Sequence, residues 1–269
     1  MGNRFDGKVA VVSGGGRGIG RAVALLLAEE KASVVVNDLG CDVDGTGSQT
    51  DPADEVVAEI KRAKGKAVAS YEDVSLMEGG ERVVQRAVDS FGRVDILVNS
   101  VGVRRDRMIF QMTPEDWDAV LRNGLKSYFT TTKYATILMR QQRSGRIVNL
   151  TSDAGLGAVG MSSYAAATEG VIGMTRSVAR DVGRYGITCN AIVPGFFPTE
   201  TTTASSMSLP RGDLIPVGRT GFPHEFGPVA VWLASSASDY MTGEMFIVDG
   251  GGLAGGMAPT GYGPITELA

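Results

Sequence analysis

The feature that most constrains the fold is a regular alternation of short β-branched runs with longer amphipathic stretches along the 269 residues. The runs rich in Val and Ile predict strands at 9–13, 33–38, 67–71, 96–99, 147–151, 187–193 and 245–248. Stretches with the helical spacing of apolar residues lie between them, at 19–30, 52–63, 78–91, 114–140 and 162–185. Such alternation requires parallel strands joined by right-handed crossovers, with helices on both faces. The sequence therefore predicts a single α/β domain over residues 1–269, a doubly wound parallel sheet.

Three segments depart from this rhythm. A polar loop occupies residues 40–51, and a Thr/Ser/Met-rich stretch at 199–208 belongs to a predicted substrate-side lid at 199–220. A Gly-rich tail follows at 250–269. Ligands of doubly wound sheets bind beyond the carboxyl ends of the strands, so a site is expected in the loops that follow the strands.

Composition narrows the classes of function. With 43% hydrophobic and 21% charged residues, the chain can bury a large core without disulfides or metals. A net charge of -4 and a pI near 5.2 argue against nucleic acid and favour a small-molecule ligand. Cys41, Cys189 and the single His224 cannot form a zinc site or a disulfide framework. No apolar run approaches the roughly 18 residues of a membrane span, and we expect a cytoplasmic protein.

The turn after the first predicted strand reads Ser-Gly-Gly-Gly-Arg-Gly-Ile-Gly at 13–20 and opens into a helix. Glycines here allow a tight turn and let backbone N–H groups approach a pyrophosphate at the positive end of that helix. Asp38 closes the second strand, where a carboxylate accepts from both ribose hydroxyls of NAD and repels the 2′-phosphate of NADP. Arg17 favours NADP instead, but its side chain can turn away. We therefore expect a Rossmann-type domain that binds NAD.

These motifs resemble the short-chain dehydrogenase/reductase family over nearly the whole chain. Asp73 and Val74 match the family's adenine-flanking pair, and Val-Asp-Gly-Gly at 248–251 matches its closing strand. The cofactor-binding positions implied by the resemblance are Gly14, Arg17, Gly18, Ile19, Gly20, Asp38, Asp73, Val74, Asn99, Gly102, Pro194, Gly195 and Thr199. The segments at 37–40 and 44–47 are similar to (3R)-hydroxyacyl-CoA dehydrogenase units of multifunctional β-oxidation proteins, although an ordinary surface loop explains them equally well.

The resemblance also implies a catalytic set: a tyrosine acid/base, a lysine four residues later, a serine that polarises the carbonyl, and an asparagine that supports a proton relay. The physical need is clear, because a tyrosine with a pKa near 10 is phenolate in only about one molecule per thousand at neutral pH. Tyr164 matches the tyrosine, but Thr168 stands where the lysine belongs. Ser152 matches the serine, with Thr151 as the alternative, and the loop that follows is one residue shorter than usual.

Two further positions depart from the family pattern. Gly124 stands at the asparagine position, and Asn123 lies one residue early, about 100° around the helix, unless the helix is locally rewound. Val101 replaces an alanine and is expected to narrow or close the nicotinamide pocket. Family drift or an engineered knockout would explain Thr168 alone, whereas changes converging on one pocket favour loss of catalysis.

Other polar residues offer no clear substitute. His224, at the start of a late helix, is expected to be a surface or capping residue. Arg104, Arg105 and Arg107 follow Gly102 and would either meet an acidic substrate or CoA phosphates, or form a solvated charge run, which we favour.

The sequence thus predicts a catalytically degenerate subunit of an NAD-dependent dehydrogenase acting on a hydroxyacyl-CoA. An intact short-chain dehydrogenase paralogue would be its partner in a heterotetramer, since the family meets through its two long helices, matched here by 114–140 and 162–185. The alternatives are a slow homomeric dehydrogenase using Tyr164 and Ser152, and a module that senses NAD without catalysis.

Overall fold

A computed structural model describes residues 3–199 and 215–254. The predicted lid at 199–220 and tail at 250–269 therefore lie mostly outside the described residues. The strands are β1 (Val9–Ser13), β2 (Ser33–Asn37), β3 (Lys66–Ser70), β4 (Ile96–Asn99), β5 (Gly145–Leu150), β6 (Ile187–Pro194) and β7 (Met245–Val248). The α-helices of the described part are α1 (Gly18–Glu29), α2 (Asp51–Arg62), α3 (Met77–Phe91), α4 (Pro114–Leu121), α5 (Ser127–Gln142), α6 (Ser162–Val182) and α7 (Pro223–Ala234).

The strands form one parallel sheet in the order β3-β2-β1-β4-β5-β6-β7. Each face is covered, because one core cluster packs α1, α2 and α7 around residues such as Leu27, Ile60 and Phe226. The other cluster packs α3, α5 and α6 around residues such as Val83 and Met139. The predicted doubly wound parallel sheet is confirmed. The strand order reverses between β1 and β4, where ligands of such sheets bind.

The helix predicted at 114–140 is interrupted, and this interruption bears on the site. Thr113 caps α4 by accepting a hydrogen bond from the Asp116 N–H at 3.2 Å, and Pro114 starts the helix. After Leu121 the chain makes one π-helical turn, Arg122–Lys126, before α5 continues. Such turns insert an extra residue and are frequent at functional sites.

Candidate active site

A single cavity of about 630 Å³ lies beyond the carboxyl ends of the strands, within the range of small-molecule and cofactor sites. It runs from Asp38 at the end of β2 to Tyr164 in the first turn of α6. Most of the residues predicted from the sequence line this one cavity: Gly14, Arg17, Gly18, Ile19, Asp38, Asp73, Val74, Gly102, Gly124, Ser152, Tyr164, Thr168, Pro194, Gly195 and Thr199.

The glycine turn before α1 is shaped for close backbone approach. Gly14 has a φ of +69°, and a Cβ there would lie 2.7 Å from the Ser100 carbonyl oxygen. A Cβ on Gly20 would lie 2.0 Å from the Gly14 carbonyl oxygen, so Gly20 serves the packing of the turn on its helix and does not line the cavity. The cradle at the N-terminus of α1 fits the pyrophosphate of a dinucleotide.

The carboxylate of Asp38 is held in place at the end of β2. One oxygen accepts from the Gly16 N–H at 2.9 Å, and the other accepts from the Gly40 N–H at 2.8 Å. The Arg17 guanidinium donates to the Cys41 carbonyl oxygen at 2.9 Å. Arg17 thus contacts the loop after β2, and Asp38 supplies a negative charge at the end of β2.

The segments predicted to contact adenine and nicotinamide are each tied to the sheet. Asp73 accepts from the Ser75 N–H at 2.9 Å, and the neighbouring Val74 is buried. At the opposite end, the Gly195 N–H donates to the Val248 carbonyl oxygen at 2.9 Å, which joins the loop after β6 to β7. Both segments line the cavity.

Asn99 lies away from the cavity, although we had expected it to contact the cofactor. Its side chain is fully buried, where it donates to Asn149 Oδ1 at 2.9 Å and accepts from Thr131 Oγ1 at 2.7 Å. Ser13 Oγ also donates to it, at 3.1 Å. Asn99 therefore cross-links β1, β4, β5 and α5 beneath the site, because a buried amide must find partners.

The loop that follows β4, with Val101 and Gly102, lines the cavity between Asp38 and Tyr164. Val101 lines the cavity but does not close it, since the space continues from Asp38 to Tyr164. Gly102 faces the tyrosine, because a Cβ there would lie 3.8 Å from Tyr164 Cε2 and 4.0 Å from the hydroxyl oxygen. The absence of a side chain at 102 leaves the tyrosine hydroxyl open towards the nicotinamide end.

Tyr164 is half-buried, and this burial raises the pKa of its hydroxyl above the ordinary value. The positive charge of Arg104 and a hydrogen bond with Ser152 oppose the rise without cancelling it. Ser152 Oγ also donates to Asp153 at 3.2 Å, whereas Thr151 Oγ1 donates to the Thr168 carbonyl oxygen at 2.8 Å. Of Ser152 and Thr151, the two candidates for the family's catalytic serine, Ser152 is therefore the one that acts on the tyrosine.

Thr168, one helical turn after Tyr164, is only 6% exposed and bonds within its own helix. Its hydroxyl donates to the Tyr164 carbonyl oxygen at 2.9 Å and to the Ala165 carbonyl oxygen at 3.1 Å. This pattern is the usual one for threonine inside a helix. Thr168 thus brings neither a positive charge nor a hydroxyl directed at the tyrosine.

The π-helical turn supplies the local rewinding that would let Asn123 replace the missing asparagine, and Asn123 lines the cavity, but its side-chain amide is bonded within its own helix. The Asn123 amide donates to the Ala119 carbonyl oxygen at 2.9 Å. Gly124 is buried, and a Cβ there would lie 3.3 Å from Ala167 Cβ on α6. A side chain at 124 would therefore point towards the helix of Tyr164, while the amide at 123 is bound to its own helix.

Among the cavity residues that were missed from the sequence are two ionisable groups close to Ser152 and Tyr164. Asp153 lines the cavity beside Ser152, and burial raises the pKa of its carboxyl. Its position directly after the candidate serine was a signal that could have identified it. Tyr128 is buried below Tyr164 and donates to the Leu150 carbonyl oxygen at 2.6 Å, and burial raises its pKa well above the ordinary value. Its sequence context, an ordinary helix position, gave no such signal.

The remaining predicted polar residues lie in different places. His224 is exposed at the start of α7, where its ring stacks on Phe222. Arg107 is largely exposed near Asp116, which fits the predicted solvated charge run. Arg104, by contrast, lines the cavity. Within the described ranges, no group of three His, Cys, Asp or Glu residues could hold a metal. In that same part of the chain, every helix is too short or too polar to cross a membrane.

Comparison with known proteins agrees with this architecture. A family model described as enoyl-(acyl carrier protein) reductase matches residues 14–252. The chain is 40% identical over 249 residues to the peroxisomal multifunctional enzyme type 2 of Mus musculus, which covers 92% of this chain but 32% of the mouse protein. It is 40% identical over 246 residues to a 3-oxoacyl-(acyl-carrier-protein) reductase of Synechocystis sp., covering 91% of this chain and 96% of that protein. A Thermotoga maritima reductase of the same name is 37% identical over 254 residues, with 92% and 98% coverage. The chain thus spans about a third of the mouse protein and nearly all of the bacterial ones.

Proposed function

Because this chain belongs to the short-chain dehydrogenase/reductase family, we propose that it is a catalytically degenerate subunit of an NAD-dependent dehydrogenase acting on a hydroxyacyl-CoA. An intact paralogue carries the chemistry in a heterotetramer. The two-subunit hydroxy(phenyl)methylsuccinyl-CoA dehydrogenase is an example of the type of enzyme that we propose. The names of the relatives, a peroxisomal multifunctional enzyme and 3-oxoacyl-(acyl-carrier-protein) reductases, support a substrate with a 3-hydroxyacyl or 3-oxoacyl group on a carrier.

The observation that carries the proposal is the environment of the Tyr164 hydroxyl. An acid/base tyrosine needs a pKa near the working pH, and burial moves this one in the opposite direction. The family's lysine would counter burial, but Thr168 is neutral and bonded to its own helix. The relay position at 124 carries no side chain. Burial thus favours the protonated tyrosine, and neither position 168 nor position 124 supplies the charge or the relay that would help it accept a proton from an alcohol.

The cavity still fits NAD, and we propose that the cofactor binds. Bound NAD would supply the hydride acceptor. The glycine cradle at the N-terminus of α1 would hold the pyrophosphate, because Gly14 lets the turn pack closely on the Ser100 backbone, where a Cβ would lie 2.7 Å from the carbonyl oxygen. Asp38 would accept from the ribose hydroxyls, for which its backbone partners at Gly16 and Gly40 orient it.

The test is co-expression of the full chain with its closest intact homologue from the same genome, with mass and turnover measured for each chain alone and for the mixture. We expect a stable heterotetramer, little or no turnover by this chain alone at neutral pH, and higher activity in the mixture than in the homologue alone. The proposal is contradicted if this chain forms a homotetramer that does not assemble with the homologue and if the homologue alone is fully active.

A second candidate is a slow homomeric dehydrogenase, favoured by the hydrogen bond between Ser152 and Tyr164. It differs in one measurable respect, because the purified chain would then turn over a hydroxyacyl-CoA and lose that activity in Tyr164→Phe. The two candidates are separated by the first assay of the chain alone.

A further inference from the structure

A groove of about 500 Å³ separates α5 from the second half of α6, outside the cavity described above. Its apolar lining comes from Phe129 on α5, which is 47% exposed, and from Met174 and Val178 on α6. Lys133 and Arg140 continue the α5 side of the groove, because residues four and eleven positions after Phe129 share its face of the helix. The groove therefore combines an apolar lining with positive charge.

The positive charge is concentrated at one end of the groove, around the ring of Tyr185. The guanidinium carbons of Arg140, Arg143 and Arg184 lie 5.0, 5.4 and 4.9 Å from the centre of that ring. Nη2 of Arg184 also donates to the Tyr185 hydroxyl at 2.7 Å. This hydrogen bond, together with the charges of Arg184 and Arg140, lowers the pKa of the hydroxyl below its ordinary value. Three cations thus converge on one tyrosine.

None of these three arginines forms an ion pair with a carboxylate of the residues that the structure describes. Among the described residues that line the groove, Asp181 alone is acidic. The whole chain carries a net charge of -4, so the excess of positive charge is local to this surface. Cations held together without counter-charges repel one another, and such a surface is complementary to an anionic one.

We propose that this groove is a docking site for an acidic segment of the partner subunit. The inference rests on the proposed heterotetramer and names the chemistry by which this chain recognises its partner. An apolar side chain of that segment would cover Phe129 and Met174, and its carboxylates would lie among the arginines around Tyr185, since guanidinium groups pair well with carboxylates. A free phosphate ion would satisfy the arginines but leave the apolar lining exposed, whereas a protein segment contacts both.

The first test is a calorimetric titration of the full chain with its closest intact homologue at low and high salt. We expect the affinity to fall at least about 10-fold between about 50 and 500 mM NaCl, because salt screens exposed charges. Arg140→Glu combined with Arg184→Glu should weaken the complex by at least about 10-fold and remove most of its salt dependence. Arg86→Glu, the matched reversal of an exposed arginine on α3, should bind like the wild type.

The second test uses the wild-type complex and therefore does not depend on the folding of a variant. A carbodiimide couples an amine directly to a carboxylate that it touches, and Lys133 is the amine in the groove. We expect mass spectrometry to find Lys133 coupled to an Asp or Glu of the homologue. Lys61, exposed on α2, is the control and should not be coupled to the homologue.

Unchanged affinity in the double variant overturns the inference and leaves the heterotetramer standing. A complex in which Lys133 is coupled to no carboxylate of the homologue overturns it in the same way. Equal weakening by Arg86→Glu assigns the attraction to overall charge and also contradicts a specific groove. Absence of any complex, at low or high salt, contradicts both the inference and the proposed assembly.

Discussion

Restoring the family's lysine by Thr168→Lys is the most direct test of the proposal that this site has lost its catalysis. The substitution removes the two hydrogen bonds of the threonine hydroxyl to Tyr164 and Ala165 carbonyls, and lysine favours a helix slightly more than threonine does. The new side chain would start from a buried position next to Gly155, where an added Cβ would lie 3.2 Å from Thr168 Oγ1. We therefore expect a folded protein in which the ammonium group is partly desolvated.

The size of the effect follows from the pKa of Tyr164. Lowering a tyrosine pKa from 10 to near 7 requires about 4 kcal/mol. A cation about 4 Å away contributes about 4 kcal/mol at an effective dielectric constant of 20. Burial already raises the pKa of Tyr164, and the lysine carries its own desolvation cost, so part of this energy is offset. The single substitution should lower the pKa by about one to two units and raise the rate by about 10- to 100-fold.

The assay is NAD-dependent oxidation of 3-hydroxybutyryl-CoA, followed by NADH absorbance across pH, with Tyr164→Phe as the background. Residual activity of the wild type should still be rising at alkaline pH, because its tyrosine ionises above the ordinary value. Thr168→Lys should shift the rising limb to lower pH and remain well below the rate of an intact homologue. Adding Gly124→Asn should raise the rate further, although its Cβ needs a small shift of Ala167. A fully active enzyme from Thr168→Lys alone would refute the reasoning.

Three other predictions test separate parts of the structure. In calorimetry the wild type should bind NAD(H) about 10-fold more tightly than NADP(H), and Asp38→Ala should remove that preference. Tighter binding of NADP(H) by the wild type would contradict this prediction. If the wild type binds neither cofactor, Val101→Ala should recover affinity. Since the pKa of Tyr128 is raised by burial, its contribution to stability is present below about pH 10 and lost as the pH rises further. Tyr128→Phe should cost about 1–2 kcal/mol in neutral denaturant unfolding and reduce the alkaline loss, unlike the exposed Tyr240→Phe. Phe129→Glu, on the outer face of α5 and 47% exposed, should weaken assembly with the homologue in light scattering, whereas Leu76→Glu, 46% exposed at the residue before α3, should leave the mass unchanged.

Local sequence pattern was sufficient for the sheet. The β-branched run at 9–13 coincides with β1, and the run at 245–248 coincides with β7. The side chains of β1 are buried inside a parallel sheet, which demands a continuous apolar run, whereas those of the edge strand β7 are partly exposed. The break in the helix predicted at 114–140 was not foreseen, because no Pro or Gly-rich signal marks a π-helical turn.

The site was predictable where chain position alone determines geometry. The glycine turn and Asp38 must meet because β1 and β2 are adjacent parallel strands that end at the same edge. The direction of a single side chain depends instead on packing between distant segments. Asn99 is the last residue of β4, as expected, yet residues of α5 and β5 hold its side chain in the core. No local sequence pattern predicts that orientation.

Arg104 and the missing lysine bear on one hydroxyl, and comparing them shows why a positive charge in the cavity does not bring the pKa of Tyr164 below its ordinary value. A lysine at 168 would approach Tyr164 from one turn along its own helix, whereas Arg104 lies over the ring. Arg104 lowers the pKa of Tyr164 more than any other group that opposes burial, and Asp153 and Asp106 each raise it by less. Burial is nevertheless the largest influence, so the pKa stays above its ordinary value although a guanidinium lies over the ring. An arginine in this position thus does not replace the family's lysine.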